Sequence, residues 1–236
     1  MKDVIIALDF RDQKEALTFL ERLGDARPFV KVGMELFYAE GPGIILELKE
    51  RGHKIFLDLK LHDIPNTVRG AVASVARLGA DIVNLHASGG IAMMAAARES
   101  AEAWGAQRPL IIAVTQLTST GQETMNQQLL IPGTVADAVL HYAQNAKAAG
   151  LDGVVCSPLE AALIKREIGR EFLCVTPGIR FAENQKSDDQ VRVTTPAQAA
   201  GSGADYIVAG RPITAAPDPL GAYLRCRKEF TGGIDE

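Results

Sequence analysis

The sequence predicts a single (β/α)8 barrel, the TIM-barrel fold, over residues 1–236. Eight short apolar runs, mostly β-branched, recur along the chain, and each is followed by a longer stretch with helical spacing. Eight repeats in 236 residues leave about 30 residues for each unit, the length of one strand, one helix and two turns. No Pro- or Ser-rich linker separates the repeats. The alternation therefore favours one closed parallel barrel over two domains.

The eight apolar runs define the predicted strands. They span residues 4–9, 29–34, 54–60, 82–87, 110–116, 153–157, 172–178 and 206–210. A doubly wound open sheet would show the same alternation and is the second candidate fold. Its usual nucleotide-binding signals are missing, because no G-x-G-x-x-G follows the first run and no G-x-x-x-x-G-K-[ST] occurs in the chain.

Two of the intervening stretches carry clear helix signals. In residues 12–23 the apolar side chains share one face, and Gly24 follows as a stop signal. In residues 134–149, Thr134 is a candidate N-cap, with Asp137 at the third helical position. Both stretches are predicted to be helices that pack on the outside of the barrel.

Two segments break the repeating pattern. Residues 117–133 follow the fifth strand and residues 180–195 follow the seventh, and both are long, polar and weakly periodic. Connections of this kind usually have about 2–6 residues. Because both segments follow the carboxyl ends of strands, where barrels place their chemistry, we predict that they are active-site lids.

Composition argues against several classes of function. The 25 Lys and Arg residues against 29 Asp and Glu give a net charge of −4 without any basic run, so we expect no nucleic-acid partner. The longest apolar runs fall far short of the roughly 18 residues of a membrane span, and no signal-peptide core is recognisable, so we expect a cytoplasmic protein. The 3 cysteines form no C-x-x-C pair and the 4 histidines no metal-binding motif, so neither a disulfide nor a metal site is predicted.

Charged residues inside otherwise apolar strands are the main functional signal, because burial of an ionised group is costly unless the group is paired. Asp9 ends the first strand, Lys31 lies in the second, and Asp58 and Lys60 alternate with leucines in the third. The period of two places Asp58 and Lys60 on one face, opposite the leucines that meet the helices. A structural ion pair would show the same pattern on one strand, but three consecutive strands deliver charges to the end of the barrel where active sites form.

Asp63 follows Lys60 by three residues, in a turn. Pro65 disfavours helix at Ile64, so the next helix is predicted to start near Thr67. A lysine held between carboxylates stays protonated, because neighbouring negative charge favours the cation. Such a lysine serves as an acid and an electrostatic anchor rather than as a Schiff-base nucleophile.

The end of the chain carries the pattern of a phosphate site. Gly210 frees a backbone N–H after the eighth strand, and the fork of Arg211 suits phosphate oxygens. Arg180 and Gln190 follow the seventh strand, and barrels often bind phosphate with the loops after strands seven and eight. Arg211 alone would be explained equally well as a surface arginine, but the second arginine turn favours the phosphate site.

Residues 58–67 closely resemble the signature D-x-K-x-x-D-I-P-x-T of the orotidine 5′-phosphate decarboxylases. Six further segments resemble bacterial members of that family in the same order along the chain, at residues 7–9, 30–33, 84–87, 114–119, 176–180 and 209–212. The resemblance implies a (β/α)8 barrel that converts orotidine 5′-monophosphate to uridine 5′-monophosphate (UMP) and CO2. It also implies a homodimer that uses no metal or organic cofactor.

The same resemblance implies roles for individual residues. Lys60 would stabilise the carbanion at C6 of the pyrimidine and deliver the proton that replaces CO2. Asp58 would hold Lys60 and lie against the substrate carboxylate, and Lys31 would complete an alternating array with Asp63, which would reach into the neighbouring subunit's site. The implied substrate-binding residues are Asp9, Lys31, Asp63 and Thr67 for the ribose, Thr118 and Ser119 for the pyrimidine edge, Pro177 for the base pocket, and Arg180, Gln190, Gly210 and Arg211 for the phosphate.

Two alternatives of other classes stay open. Metal-dependent phosphosugar lyases of the same superfamily, such as 3-keto-L-gulonate 6-phosphate decarboxylases and hexulose phosphate synthases, share D-x-K-x-x-D and use magnesium. Glu35, just after the second strand, keeps that chemistry open, whereas residues 64–67 and 117–119 favour the pyrimidine enzyme. A non-catalytic nucleotide-binding barrel would keep Arg211 but would have no reason to keep the charges of the third strand together.

Overall fold

Eight parallel strands form a closed barrel in the computed structural model, which describes residues 2–184 and 193–233. Each strand pairs with the next in chain order, and the last pairs with the first. The strands are β1 (Asp3–Ala7), β2 (Phe29–Gly33), β3 (Ile55–Leu61), β4 (Ile82–His86), β5 (Leu110–Val114), β6 (Gly153–Val155), β7 (Leu173–Thr176) and β8 (Tyr206–Ala209). The predicted barrel is confirmed, and the open sheet is wrong.

Helices connect the strands around the outside of the barrel. They are α1 (Gln13–Glu21), α2 (Met34–Glu40), α3 (Gly43–Glu50), α4 (Pro65–Ala76), α5 (Gly90–Glu102), α6 (Val135–Ala148), α7 (Pro158–Glu167), α8 (Pro196–Gly201), α9 (Arg211–Thr214) and α10 (Pro219–Thr231). Two of them, α2 and α3, lie between β2 and β3. Within the described ranges, no helix is both long and apolar enough to cross a bilayer.

The two predicted helices are confirmed, the Thr134 cap with them, and a side chain caps the start of each. The Asp12 side chain accepts a hydrogen bond from the Glu15 N–H at 2.8 Å at the start of α1. At the start of α6, Thr134 and Asp137 form a reciprocal capping box. These side chains satisfy N–H groups that the first helical turn leaves without partners.

The start of α4 corrects one prediction. The helix begins at Pro65 rather than near Thr67. Proline suits the first helical position, because its fixed φ is already helical and the N–H that it lacks would have no partner there. Ile64, the residue before it, has an extended backbone with ψ 152°, as a residue before proline should.

The alternation of side chains along β3 separates two cores. Ile55 and Leu57 are fully buried in the outer core between the strands and the helices, and Leu59 packs against it. Phe56 belongs to an inner core that fills the barrel interior together with residues from other strands, including Ile5 and Ile112. The predicted alternation is confirmed, and it leaves Asp58 and Lys60 directed into the barrel, where they line a pocket.

A repeated aspartate fixes the opposite, amino-terminal end of the barrel. Asp81, Asp152 and Asp205 directly precede β4, β6 and β8, each in the pattern Gly-Xaa-Asp. Each carboxylate accepts the N–H of a residue on the preceding strand, namely Ile55 at 2.7 Å, Ile111 at 2.8 Å and Cys174 at 2.7 Å. Each also pairs with a cation, namely Lys49 at 2.9 Å, Arg108 at 2.6 Å and Lys165 at 2.6 Å. These contacts hold the strand pairs in register.

The two segments predicted as lids differ in how much of them is described. Residues 117–133 contain a single π-helical turn, Thr124–Gln128, with Met125 fully buried. The side chains of Gln122 and Asn126 both donate to the Gly133 carbonyl, at 2.8 and 3.1 Å, and so draw the loop together. In the second segment a short 3-10 turn, Ala182–Asn184, precedes residues that lie outside the described part of the chain.

Candidate active site

A pocket of about 280 Å3 opens at the carboxyl ends of the strands. All eight strands, or the residues that directly follow them, contribute to its lining. The apolar lining residues are Ala7, Phe56, Leu117, Val114, Val155, Pro177 and Val208, and the polar ones include Asp9, Lys31, Asp58, Lys60, Asn84, Gln116, Thr118, Arg180 and Arg211. The pocket is therefore apolar in part and lined by charges of both signs.

Four charged side chains form an alternating array across β1, β2 and β3. The Lys31 ammonium lies 3.0 Å from Asp9 Oδ1 and 3.4 Å from Asp58 Oδ2. The Lys60 ammonium lies 2.7 Å from the other Asp58 oxygen, Oδ1. Each inner charge thus has an opposite charge on either side, which is the arrangement that offsets the cost of burying charge.

The array keeps its two inner members ionised. Burial alone would raise the pKa of Asp58, but Lys31 and Lys60 outweigh it and hold that pKa below its ordinary value. Burial alone would also lower the pKa of Lys31, but the carboxylates of Asp58 and Asp9 outweigh it and raise that pKa. A carboxylate and an ammonium therefore meet substrate at neutral pH.

Lys60 lies where β3 and β4 lose their regular pairing. From Leu57 to Leu61, β3 advances four residues while β4 advances two, from Val83 to Leu85. Lys60 has a φ of 53°, in the left-handed region that residues other than glycine seldom adopt. Its side chain nevertheless lies on the inner face of the barrel, in the pocket next to Asp58.

The arginines expected to bind phosphate lie at the same pocket. Arg180 and Arg211 line it with Gly210, and so do Thr118 and Pro177. Arg211 is the first residue of α9, directly after β8. The expected phosphate residue Gln190 lies outside the described residues.

Three of the expected site residues do not line this pocket. Asp63 is exposed, and its Oδ1 accepts the N–H of Ile64 at 2.6 Å. Thr67, in the first turn of α4, and Ser119, in the loop after β5, are also exposed. Thus the pocket of one chain brings together the array and the two arginines, but not these three residues.

Sequence reasoning missed Asn84 and Gln116 as site residues. Asn84 is 1% exposed, and its side chain contacts both Asp58 and Lys60. Gln116 is 8% exposed and lines the pocket two residues before Thr118. The signal for Asn84 was present, because it is a lone amide in the apolar run of residues 82–85.

Metal-ligating side chains are scattered in the described ranges. No group of three or more His, Cys, Asp or Glu side chains there is placed to hold a metal ion. Glu35 is exposed in the first turn of α2 and does not line the pocket. The ring centroids of His62 and His86 lie 5.5 Å apart. Burial of His86 lowers its pKa, and the nearby His62 and Lys60 lower it further.

Comparison with known proteins places this chain in one family. Residues 2–226 match the model of the orotidine 5′-phosphate decarboxylase / HUMPS family. An orotidine 5′-phosphate decarboxylase of Geobacillus sp. (strain WCH70) is 56% identical over 231 residues, which are 97% of this chain and 96% of that protein. One from Bacillus caldolyticus is 56% identical over 235 residues, 98% of this chain and 96% of that one. The crystal structure of orotidine 5′-phosphate decarboxylase from Lactobacillus acidophilus matches with a TM-score of 0.88 at 43% identity, over 98% of this chain and 99% of that one. The chain belongs to the orotidine 5′-phosphate decarboxylase / HUMPS family.

Proposed function

We propose that this chain decarboxylates orotidine 5′-monophosphate to UMP and CO2, a step of pyrimidine nucleotide synthesis. The family's name covers both this reaction and that of the HUMPS proteins, so the family alone does not decide between them. The curated relatives at 53–56% identity are named orotidine 5′-phosphate decarboxylases and align over nearly their whole length. The metal-dependent lyases are therefore not favoured.

The observation that carries the proposal is the Lys31–Asp58–Lys60 array in a pocket that two arginines also line. Loss of CO2 breaks the bond from C6 to the carboxyl carbon and leaves the electron pair in an in-plane orbital at C6. The ring π-system cannot delocalise that pair, so an enzyme without an electron sink must stabilise it electrostatically. A fixed ammonium beside C6 supplies such stabilisation.

Lys60 is the proposed partner of C6. Its ammonium stabilises the developing carbanion and then donates the proton that takes the place of CO2, and solvent reprotonates the amine. At ~4 Å and an effective dielectric of ~20, one such charge pair interacts by about 4 kcal/mol. Asp58, 2.7 Å from Lys60, holds the ammonium and repels the substrate carboxylate, and departure of CO2 relieves that repulsion.

The remaining expected site residues bind the parts of the substrate that do not react. In this proposal Asp9 and Lys31 bind the ribose hydroxyls, Thr118 and Ser119 read the pyrimidine edge, and Pro177 lines the base pocket. Arg180, Gln190, Gly210 and Arg211 bind the phosphate. Binding energy from the phosphate can close the loops over the pocket and thereby assist chemistry at C6. No metal or organic cofactor takes part.

We further propose a homodimer with shared active sites. Asp63 and Thr67 lie at the same end of the barrel as the array, since they follow β3 directly, but both are exposed in one chain. In the proposed dimer, Asp63 extends the alternating charges of the partner's site and Thr67 contributes to its ribose contacts. We expect the dimer to be cytoplasmic, without nucleic-acid or membrane partners.

Replacement of Lys60 tests the proposed chemistry. The Lys60→Ala variant should lose turnover of orotidine 5′-monophosphate by more than about 1,000-fold, because it lacks both the charge and the proton donor. The same variant should still bind UMP, as measured by calorimetry. Lys14→Ala, which removes an exposed lysine of α1, is the matched control and should keep parental turnover. Unchanged turnover in Lys60→Ala would contradict the proposed function.

A further inference from the structure

Asn84 links the two β3 residues at the centre of the array. It lies in β4 opposite the bulge, between Val83 and Leu85, and is 1% exposed. Its Oδ1 accepts the Lys60 backbone N–H at 2.8 Å. Its Nδ2 donates to Asp58 Oδ1 at 2.6 Å, and the Lys60 ammonium lies 2.7 Å from that same oxygen. The side-chain amide of Asn84 thus binds Lys60 through its oxygen and Asp58 through its nitrogen.

The backbone contact matters because of the conformation of Lys60. At the bulge, the regular ladder to β4 is interrupted, and Lys60 adopts a φ of 53°. A partly buried N–H that leaves the ladder is stabilised by another acceptor, and Asn84 supplies it. Without that acceptor, the strained conformation of Lys60 would lose a stabilising contact, and its ammonium would no longer be held in a fixed position beside Asp58.

We propose that Asn84 is a positioning residue for the decarboxylation, fixing the backbone of Lys60 and the carboxylate of Asp58 at the same time. The inference rests on the function proposed above. It assigns to Asn84 no contact with the reacting atoms, because its amide acts through Lys60 and Asp58. Loss of Asn84 should therefore slow the chemical step much more than it weakens substrate binding.

Other charged groups also act on Asp58, and the test must separate them from Asn84. Lys31 approaches it from β2 and Lys60 from its own strand, while Asp9, just after β1, acts through Lys31. His86 lies farther along β4 and interacts electrostatically with Asp58 and Lys60. A substitution at residue 84 leaves the identity of all these groups unchanged, so its effect reports the loss of the Asn84 contacts.

Asn84→Leu removes both hydrogen bonds at nearly constant volume. We expect kcat for orotidine 5′-monophosphate to fall roughly 10- to 100-fold, with KM changed less than about 3-fold, since hydrogen bonds to charged groups are of that strength. Thr115→Val is the matched control, because Thr115, a buried residue directly after β5, donates its hydroxyl to the Val155 carbonyl at 2.9 Å and does not line the pocket. It should keep the parental kcat.

Asn84→Asp provides a signature that a purely structural role would not give. A protonated carboxyl group offers the same donor to Asp58 and the same acceptor to the Lys60 N–H as the amide does. An ionised one has no donor and places a second negative charge against Asp58. The kcat of this variant, relative to the parent at the same pH, should therefore fall at least about tenfold as the pH rises from about 6 to about 9.

Two results would overturn the inference. One is an Asn84→Leu variant that binds UMP and keeps a kcat within about threefold of the parent. The other, decisive also if Asn84→Leu does not fold, is an Asn84→Asp variant whose kcat relative to the parent does not fall as the pH rises. The parent is assayed in the same series, so absence of parental turnover would count against the proposed function and not against the role of Asn84.

Discussion

The charges of the pocket are compensated residue by residue. Asp9, Lys31, Asp58 and Lys60 sum to zero, and each of the distances that link them is 3.4 Å or less. A buried array of this kind contributes little net stability, because desolvation of the charges offsets their attraction. Its benefit is that two ammonium groups stand in fixed positions before substrate arrives, which is how enzymes stabilise charge without reorganisation.

Cys226 of α10 makes the folded chain sensitive to alkaline pH. The thiol is fully buried, and burial raises its pKa from 9.0 to about 12. Below pH 9 the thiol is protonated in both the folded and the unfolded chain, so the full stability is present. As the pH rises toward 12, the unfolded chain releases this proton while the folded chain keeps it, and unfolding becomes more favourable by about 3 kcal/mol at about pH 11.

Cys226→Ala should therefore flatten the alkaline loss of stability. Urea denaturation at pH 7 gives the cost of the substitution itself, and the same measurement at about pH 11 gives the pH effect. We expect the free energy of unfolding to fall by about 3 kcal/mol less in the variant than in the parent between these two pH values. Parallel losses in the two proteins would contradict the assigned role of the thiol.

Single residues were predictable where a simple period decides their position. The alternation along β3 correctly placed Asp58 and Lys60 on the inner face, because a strand has a period of two. The role of Asn84 was not predicted, because it depends on a bulge between β3 and β4, and a bulge interrupts the two-residue period of a strand. The left-handed φ of Lys60 was not predicted either, because glycine is the residue that usually signals such a φ and this position holds a lysine.

At the scale of elements, the Gly-Xaa-Asp repeat joins each even strand from β4 to β8 to the odd strand before it. The carboxylate replaces a missing backbone acceptor at the start of the odd strand, and a lysine or arginine neutralises it. The repeat was present in the sequence and was not recognised, because a single Asp before a strand resembles an ordinary turn residue. The role of the repeated aspartate becomes clear only when the strand pairing is known, because each carboxylate binds an N–H of the neighbouring strand.

Asp152 provides a test of this arrangement. It accepts two hydrogen bonds from Arg108, at 2.6 and 2.8 Å, as well as the Ile111 N–H at 2.8 Å. Asp152→Asn keeps an acceptor but loses the charge, so we expect the free energy of unfolding to fall by about 2 kcal/mol. Asp25→Asn, at an exposed position with no ion pair in the described residues, should change it by less than about 0.5 kcal/mol.

The same two variants report on function. Asp152 lies at the amino-terminal end of the barrel, away from the pocket, so Asp152→Asn should keep the parental kcat at a temperature where it is folded. A loss of kcat without a loss of stability would contradict a purely structural role. Equal stability of Asp152→Asn and Asp25→Asn in urea would show that the charge pair contributes nothing measurable.

At the scale of the whole molecule, the barrel was predictable because it is a repeat. Eight units of similar length and the absence of other nucleotide-binding signals were enough to select it, and the strands were found within a few residues. The presence of two helices between β2 and β3 was not predicted. The chain turns between them at Gly41, which has a φ of 66°. The proposed dimer rests only on the resemblance to a family.

Subunit mixing tests the proposed shared site. Lys60→Ala and Asp63→Ala chains should each be nearly inactive, but a mixed dimer contains one site with both residues intact. After denaturation and joint refolding of equal amounts, random pairing should restore about one quarter of the parental activity. A mixture no more active than the two variants refolded separately would show that Asp63 acts within its own chain or not at all.

The most direct test of the proposed chemistry is the ultraviolet absorbance of orotidine 5′-monophosphate mixed with the purified protein after treatment with EDTA. We predict that the absorbance of the substrate is lost at the same rate with and without the chelator, and that UMP and CO2 form in equal amounts. No loss of absorbance, or a loss that EDTA abolishes and magnesium restores, would contradict a cofactor-free decarboxylation by the Lys31–Asp58–Lys60 array.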